Sequence, residues 1–245
     1  MPKFFAEPFK IGNDKIIIDT DDVSHISKVL RHKTGDVITV CDGMKNDYIC
    51  RISQITRDSV VCDILEKREN TAEPSITLTL FLALPKGDKA DFIIQKSVEL
   101  GVSRIVMFEG ENSVAKCPKD AREVEKKLKK WQKTALEAAK QCGRGIIPEV
   151  SGIFTFEAAI KEAEGCGTVV FLHEKEKSGR IDDAVTRNIR TAALFVGPEG
   201  GFSPAEAEYA SSHGARVTGL GSRVLRLETA ALAAQAVIMH ITHNL

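Results

Sequence analysis

The segment Phe195-Val196-Gly197-Pro198-Glu199-Gly200-Gly201-Phe202-Ser203 packs three glycines, a proline and a carboxylate into the stretch that follows an apolar run. Glycine and proline at this density let a backbone turn sharply and approach a ligand without Cβ interference. Ser203-Pro204-Ala205-Glu206 then reads as a helix start, with an N-cap serine, proline at the first position and glutamate at the third. The loop lacks the GK[ST] ending of a phosphate cradle and does not match GxGxxG. Alone it would serve equally well as a tight strand-to-helix turn. A second segment, Gly219-Leu220-Gly221-Ser222-Arg223-Val224-Leu225-Arg226-Leu227-Glu228-Thr229-Ala230, is far longer than a strand-to-helix connection needs, and connections of that kind are usually functional. Its Glu228 and Thr229 suit the first turn of a helix, where negative charge meets the positive helix end. Arg226 could serve in a surface ion pair or on a ligand. A third strand end, Phe171-Leu172-His173-Glu174, adds a histidine that would ordinarily be a hydrogen-bonded turn residue.

These segments must be held by strands and helices whose patterns are legible. Up to about Leu65 the chain shows short β-branched runs, Lys15–Ile18, Val37–Val40, Tyr48–Ile52 and Ser59–Ile64, which predict a small sheet or barrel. One helix is expected over Asp22–Leu30, whose Val23, Ile26, Val29 and Leu30 share a face. Glu66–Pro74 is polar, aperiodic and ends in proline, and is read as a linker. From Ser75 onward apolar strands (Ile76–Leu84, Arg104–Phe108, Thr168–Leu172, Ala192–Val196, Ala215–Thr218) alternate with expected helices. These run from Asp88 to Gly101, then over 119–142, 156–163, 181–189, 204–213 and 228–242. The alternation implies a mostly parallel sheet covered on both faces.

The totals narrow the function. With 34 basic and 34 acidic residues the net charge is zero, so nucleic acid cannot be held by bulk electrostatics and any contact must use a local patch. The six cysteines are scattered without zinc spacing, and together with the unremarkable N-terminus they read as a reducing, cytoplasmic protein without a metal site. No apolar run is long enough to span a membrane.

FVGPEGGFS followed by GLGSRVLRLETAALAA resembles the knotted SPOUT class of methyltransferases, and more narrowly the bacterial ribosomal RNA small-subunit methyltransferase E family. Further matches are His25-(x3)-Val29-Leu30-Arg31, Lys86, Gln95-Lys96-(x2)-Glu99-Leu100-Gly101 and Glu137-Ala138-(x2)-Gln141-Cys142-Gly143-Arg144. The likeness covers nearly the whole chain; it departs at the N-terminus, where Lys3-Phe4-Phe5 stands in place of an early arginine. The resemblance implies an α/β protein with a PUA-like RNA-binding β-barrel over 1–72. A SPOUT-type domain over 73–245 would follow, with a C-terminal trefoil knot, one of the rare exceptions to ordinary connection rules. It implies a homodimer that methylates N3 of a uridine in small-subunit 16S ribosomal RNA with S-adenosyl-L-methionine; the neutral charge with small basic patches suits RNA within an assembled particle better than free strand.

The cofactor contacts implied are Leu172, His173 and Glu174; Val196, Gly197, Pro198, Gly200 and Gly201; and Leu220, Gly221, Leu225, Arg226, Leu227, Thr229 and Ala230. Uridine N3 is a poor nucleophile until its proton leaves, so a base or an anion-stabilising cation is required. Arg226 is expected to stabilise the uridine anion, with Glu199 or Glu228 as proton acceptor. His25, Arg31, Lys33, Lys86 and Arg144 are the expected RNA contacts. The lysine run at 126–133 reads as a solvated helix face. Two rivals stand beside this reading. A non-catalytic ribosome assembly factor would bind no S-adenosylmethionine. A nicotinamide enzyme would need a glycine-rich first βα turn, which Leu84-Pro85-Lys86-Gly87-Asp88 does not supply.

Overall fold

Alternation along Lys15–Ile18 buries Ile16 and Ile18 and leaves Lys15 and Ile17 in water, as one wall of a small sheet requires. The computed structural model describes residues 3–245, so the first two residues of the expected 1–72 domain lie outside the described residues. Two compact units emerge: one runs up to Glu73 and includes Ala139–Ile147, the other comprises Pro74–Ala138 and Pro148–Leu245.

The first unit is a five-stranded sheet built from β1 (Lys3–Phe5), β2 (Lys15–Ile18), β3 (Val37–Cys41), β4 (Asn46–Ile55) and β5 (Val60–Glu69). Its order is β1-β3-β4-β5-β2, with β1 parallel to β3 and the other pairs antiparallel. Phe4, Ile16, Ile18, Ile38, Val40, Ile52 and Val60 fill its core. Cys41, Cys50 and Cys62 are buried there too, their thiols pushed up to about 12 by burial, so they pack rather than react.

Two readings of this region change. The stretch taken as a linker from Glu66 is strand to Glu69, paired with β4 from Ile49 to Asn46. Its charged side chains stay in water while its backbone is satisfied by the ladder, which is why it showed no apolar pattern. The helix expected over Asp22–Leu30 is a single turn, α1 (Asp22–Ser24), continuing as a π-turn over His25–Val29, with Leu30 N–H donating to His25 O at 2.9 Å. Arg31 then takes a left-handed backbone at φ 56°, a conformation few non-glycine residues adopt.

In the second unit β6 (Thr77–Ala83), α2 (Lys89–Glu99), β7 (Arg104–Glu109), α3 (Ala121–Cys142, its last turn counted with the first unit), β8 (Glu149–Thr155) and α4 (Phe156–Ala163) come first. Then follow β9 (Thr168–Leu172), α5 (Ile181–Ala184), β10 (Thr191–Val196), α6 (Pro204–Ser212), β11 (Arg216–Thr218) and α7 (Leu227–Ile241). The six strands form one sheet in the order β11-β9-β10-β6-β7-β8, every pair parallel. The connection leaving β6 runs one way, to β7, and the connection leaving β10 runs the other way, to β11, which makes their carboxyl ends a natural crevice. A phenylalanine layer covers one face: Phe81 stacks on Phe195 at 4.4 Å and Phe171 meets Phe202 at 4.1 Å. Strand β8 escaped the sequence pattern because Gly152, at φ 47°, sits at an irregularity in its pairing with β7 and breaks the alternation. The helix expected over 181–189 stops at Ala184, where Val185 turns extended at φ −115°.

The expected helix start at Ser203 forms as a full capping box. Ser203 Oγ accepts from Glu206 N–H at 3.2 Å, and Glu206 Oε2 accepts from Ser203 N–H at 2.8 Å. Glu206 Oε1 also accepts from Glu111 N–H at 2.9 Å, tying the cap to the loop after β7. Ser203→Ala is expected to lower stability by about 1 kcal/mol, read as a shift in urea midpoint at unchanged slope. A variant within experimental error of the parent would show that the box adds nothing here.

Candidate active site

Three strand ends converge on one cavity of about 510 Å³, within the range of sites that hold a small cofactor. Leu172, His173 and Glu174 come from the end of β9, Val196 to Phe202 from the end of β10, and Leu220, Gly221, Arg223 to Leu227 and Ala230 from the connection into α7. Of the residues expected to touch cofactor, all but Thr229 line this cavity. Thr229 is exposed on the first turn of α7 and does not line it.

The glycines have identifiable jobs. At Gly201 the backbone is left-handed, φ 71°, and a Cβ would stand 2.8 Å from a Glu174 carboxylate oxygen. At Gly197 a Cβ would meet the Phe202 ring at 2.8 Å, so the aromatic that closes the turn rests on the glycine that opens it. Asn112 Nδ2 donates to Gly201 O at 3.2 Å and steadies the turn from outside. On the β9 side, Glu176 Oε1 accepts from Ser178 Oγ, Ser178 N–H and Gly179 N–H at 2.6, 2.7 and 2.9 Å. Those donors, the Ser178 hydroxyl foremost, bring its carboxyl down to about 2. Gly219 N–H donates to Gly179 O at 2.9 Å, and a Cβ at Gly219 would lie 2.1 Å from Glu176 O, so the two chain segments touch backbone to backbone.

The polar groups suit a nucleoside with a cationic tail. His173 Nδ1 accepts from Lys175 N–H at 3.2 Å, which places the ring proton on Nε2, and Nε2 is buried without a protein partner. A buried donor of this kind is costly unless a ligand or water meets it. Glu174 offers a carboxylate to a hydroxyl pair or a cation, and Leu172, Leu225 and Leu227 supply apolar wall. S-adenosylmethionine, with its adenine, ribose hydroxyls and positive sulfur, fits this donor set.

Around the mouth sit the charges. Arg226 precedes α7, makes no ion pair among the described residues, and faces the cavity. Glu199 Oε1 accepts from Lys86 N–H at 3.2 Å and lies 3.5 Å from Lys89 Nζ. Glu228 Oε2 lies 3.2 Å from the same ammonium. The Glu228 carboxyl is held below its usual range by its own backbone N–H at the helix start, against the opposing effect of burial, with Lys89 and Arg226 adding to the effect. Lys89 was missed in the sequence. A signal existed: a lysine at the first position of a helix opposes the helix dipole, so it usually has another purpose.

The expected RNA contacts divide. Arg31 and Lys33 are exposed in the first unit beside the π-turn, and His25 lies edge-on to Phe4 with ring centroids 6.2 Å apart. Lys86 is exposed in the second unit, its backbone tied to Glu199. Arg144 is corrected: it is 3% exposed, and its guanidinium is engaged by Glu73 at 3.2 and 2.7 Å, so it cannot reach a phosphate. Lys3 at the divergent N-terminus is likewise buried, its ammonium 2.8 Å from Asp47 and 2.8 Å from Gly143 O. Among the described residues no helix is long and apolar enough to cross a membrane, and no cluster of His, Cys, Asp and Glu could hold a metal ion.

Comparison with known proteins agrees with this geometry. A family model described as an RNA methyltransferase domain matches residues 72–239, and one described as an RNA methyltransferase PUA domain matches 18–65. The Bacillus subtilis ribosomal RNA small subunit methyltransferase E is 33% identical over 93% of this chain and 91% of its own length. Its namesake from Mesomycoplasma hyopneumoniae is 32% identical over 86% of this chain and 87% of its own. The crystal structure of a ribosomal RNA small subunit methyltransferase E from Neisseria gonorrhoeae bound to S-adenosyl methionine superposes with a TM-score of 0.88. It shows 28% identity, covering 98% of this chain and 97% of that one. The family model over residues 72–239 and a relative 33% identical over 93% of this chain place the chain in the ribosomal RNA small subunit methyltransferase E family.

Proposed function

We propose that this protein methylates N3 of a uridine in 16S ribosomal RNA, using S-adenosylmethionine held at the ends of β9, β10 and β11. The observation that carries the reading is one cavity lined by Arg226 and Glu199, with Glu228 joined to it through Lys89. When bound, S-adenosylmethionine supplies an electrophilic methyl on a positively charged sulfur, so the protein must orient the base and manage one proton. Backbone groups of Gly197 to Gly201 and Leu220 to Gly221 would hold adenine and ribose, with His173 Nε2–H as donor and Glu174 as acceptor. Leu225 and Leu227 would flank the adenine ring.

The N3–H bond breaks with its electron pair left on the ring, and the proton goes to a carboxylate. Arg226 offsets the charge that appears on the uracil oxygens. Glu199 suits the acceptor role better than Glu228, because Glu228 is committed to the first turn of α7 by its own N–H. Arg31 and Lys33, with the uncommon backbone of Arg31, would position RNA through its phosphates, and Lys86 would do so beside the cavity.

The fuller architecture belongs to the same reading. The five-stranded sheet would be the PUA-like barrel of an RNA-binding domain over 1–72, and 73–245 the catalytic domain, apart from Glu73 and Ala139–Ile147, which belong to the first unit. A trefoil knot in the last connection is part of the same reading. The working form is a cytoplasmic homodimer that acts on an assembled small-subunit particle, since a neutral protein with small basic patches suits a preformed surface better than free strand.

The test is a calorimetric titration with S-adenosylmethionine, followed by transfer of labelled methyl to small-subunit particles lacking the modification. Methyl on N3 removes the Watson–Crick donor of uridine, so a reverse-transcription stop at one uridine, confirmed by mass, is expected. Binding without transfer to any particle or RNA would sink the reading, and absence of binding would favour the assembly-factor alternative.

A further inference from the structure

Lys89 stands between two carboxylates that come from distant parts of the chain. Its Nζ lies 3.5 Å from Glu199 in the loop after β10 and 3.2 Å from Glu228 at the start of α7. The same loop is drawn to the start of α2 a second time, by Lys86 N–H on Glu199. Two carboxylates drawn to one point repel each other, and the cation between them offsets that repulsion.

We propose that Lys89 is a positioning residue for methyl transfer: its ammonium draws Glu199 and Glu228 to one point and aims Glu199 into the cavity. This rests on the reading of the cavity as the methyl-transfer site. The placement is otherwise unfavourable, because Lys89 occupies the first turn of α2, where the positive helix end repels a cation. Both neighbours offset that repulsion, and the ammonium is accordingly held above its usual range, first by Glu228. It therefore stays charged through the neutral range and cannot itself act as a base. The other charged or titratable groups lining the cavity are Arg226 and Arg223 from the connection into α7, and His173 and Glu174 from the end of β9. Arg226 is the second cation of the cluster. In this arrangement Lys89 acts on the enzyme's carboxylates and leaves Arg226 for the substrate.

The experiment compares Lys89→Met and Lys89→Arg with the parent full-length protein. The first readout needs neither cofactor nor RNA: carbon-13 titration of the side-chain carboxyls, assigned with Glu199→Gln and Glu228→Gln. In Lys89→Met the Glu228 titration is expected to rise by about one pH unit or more, and Lys89→Arg to stay near the parent. The second readout is the pH profile of single-turnover methyl transfer to small-subunit particles. Its acid limb should move upward with the carboxyl titration in Lys89→Met, with a rate loss of about tenfold near neutral pH, and return in Lys89→Arg. Unchanged carboxyl titrations, or a rate loss equal at every pH, would overturn the proposal. If the parent protein transfers no methyl, the functional reading fails by itself, while the carboxyl titration still decides whether Lys89 governs the pair.

Discussion

Arg226→Ala is expected to slow single-turnover methyl transfer by about 100- to 1,000-fold while S-adenosylmethionine binding persists. The reason is where charge develops. A neutral uracil becomes an anion as its N3 proton leaves, and a cation already aimed at that point needs no reorganisation when the charge forms. Arg226 is available for this because its side chain caps nothing at the start of α7 and no ion pair holds it among the described residues. Its fixed position follows from the backbone, since Ala230 N–H donates to Arg226 O at 2.8 Å and anchors the residue to the helix. Arg226→Lys should recover part of the rate, as charge returns without the planar fork. The measurement is rapid-quench transfer of labelled methyl alongside a calorimetric affinity. Full rate with intact cofactor binding in Arg226→Ala removes it from the chemistry and leaves the carboxylates alone to explain the step.

In the first unit, Arg144→Met is expected to lower stability by about 3 kcal/mol, at the low end of what breaking a buried ion pair costs. Arg144 and Glu73 have side chains 4% and 6% exposed, and the carboxylate also accepts from Gly145 N–H at 2.8 Å and Ile146 N–H at 3.0 Å. Those two backbone donors survive the substitution and place the cost at the low end. Burial pushes the Glu73 carboxyl up, but the guanidinium and the backbone donors outweigh it and hold the group below its ordinary 4.5. In the parent the contribution is therefore complete above that ordinary value and is lost as pH falls through the lower folded value. Without Arg144, burial dominates and the folded value rises above the ordinary one. The deficit of the variant should then be greatest near neutral pH and shrink on acidification. Urea denaturation at neutral and acidic pH checks this, and Arg144→Met combined with Glu73→Gln should recover part of the loss. A deficit that is the same at both pH values would mean that lost packing, rather than the exposed cost of an unpaired carboxylate, is responsible.

Much of the frame is legible in the sequence. The apolar runs of β6, β9 and β10 announced a buried parallel sheet, and Ser203-Pro204-Ala205-Glu206 announced the start of α6. What escaped were elements whose side chains do not report their pairing. The outer half of β5 is charged because it faces water while its backbone pairs with β4, and β1 is three residues long, too short for any periodicity. The π-turn at His25–Val29 kept an apolar face close enough to that of an α-helix to pass for one.

The two glycine-bearing segments and the place of the cavity at the carboxyl ends of the strands were determined by sequence alone, because turns, caps and buried strands are governed by neighbours along the chain. Which charge does what was decided only by the tertiary structure. Arg144 and Lys89 look alike in sequence, basic residues near helix ends. Yet one is buried against Glu73, 71 positions away, and the other bridges Glu199 and Glu228, more than a hundred positions away. A charge acquires its role from through-space distance and from the water it has lost, and neither is encoded by adjacent residues.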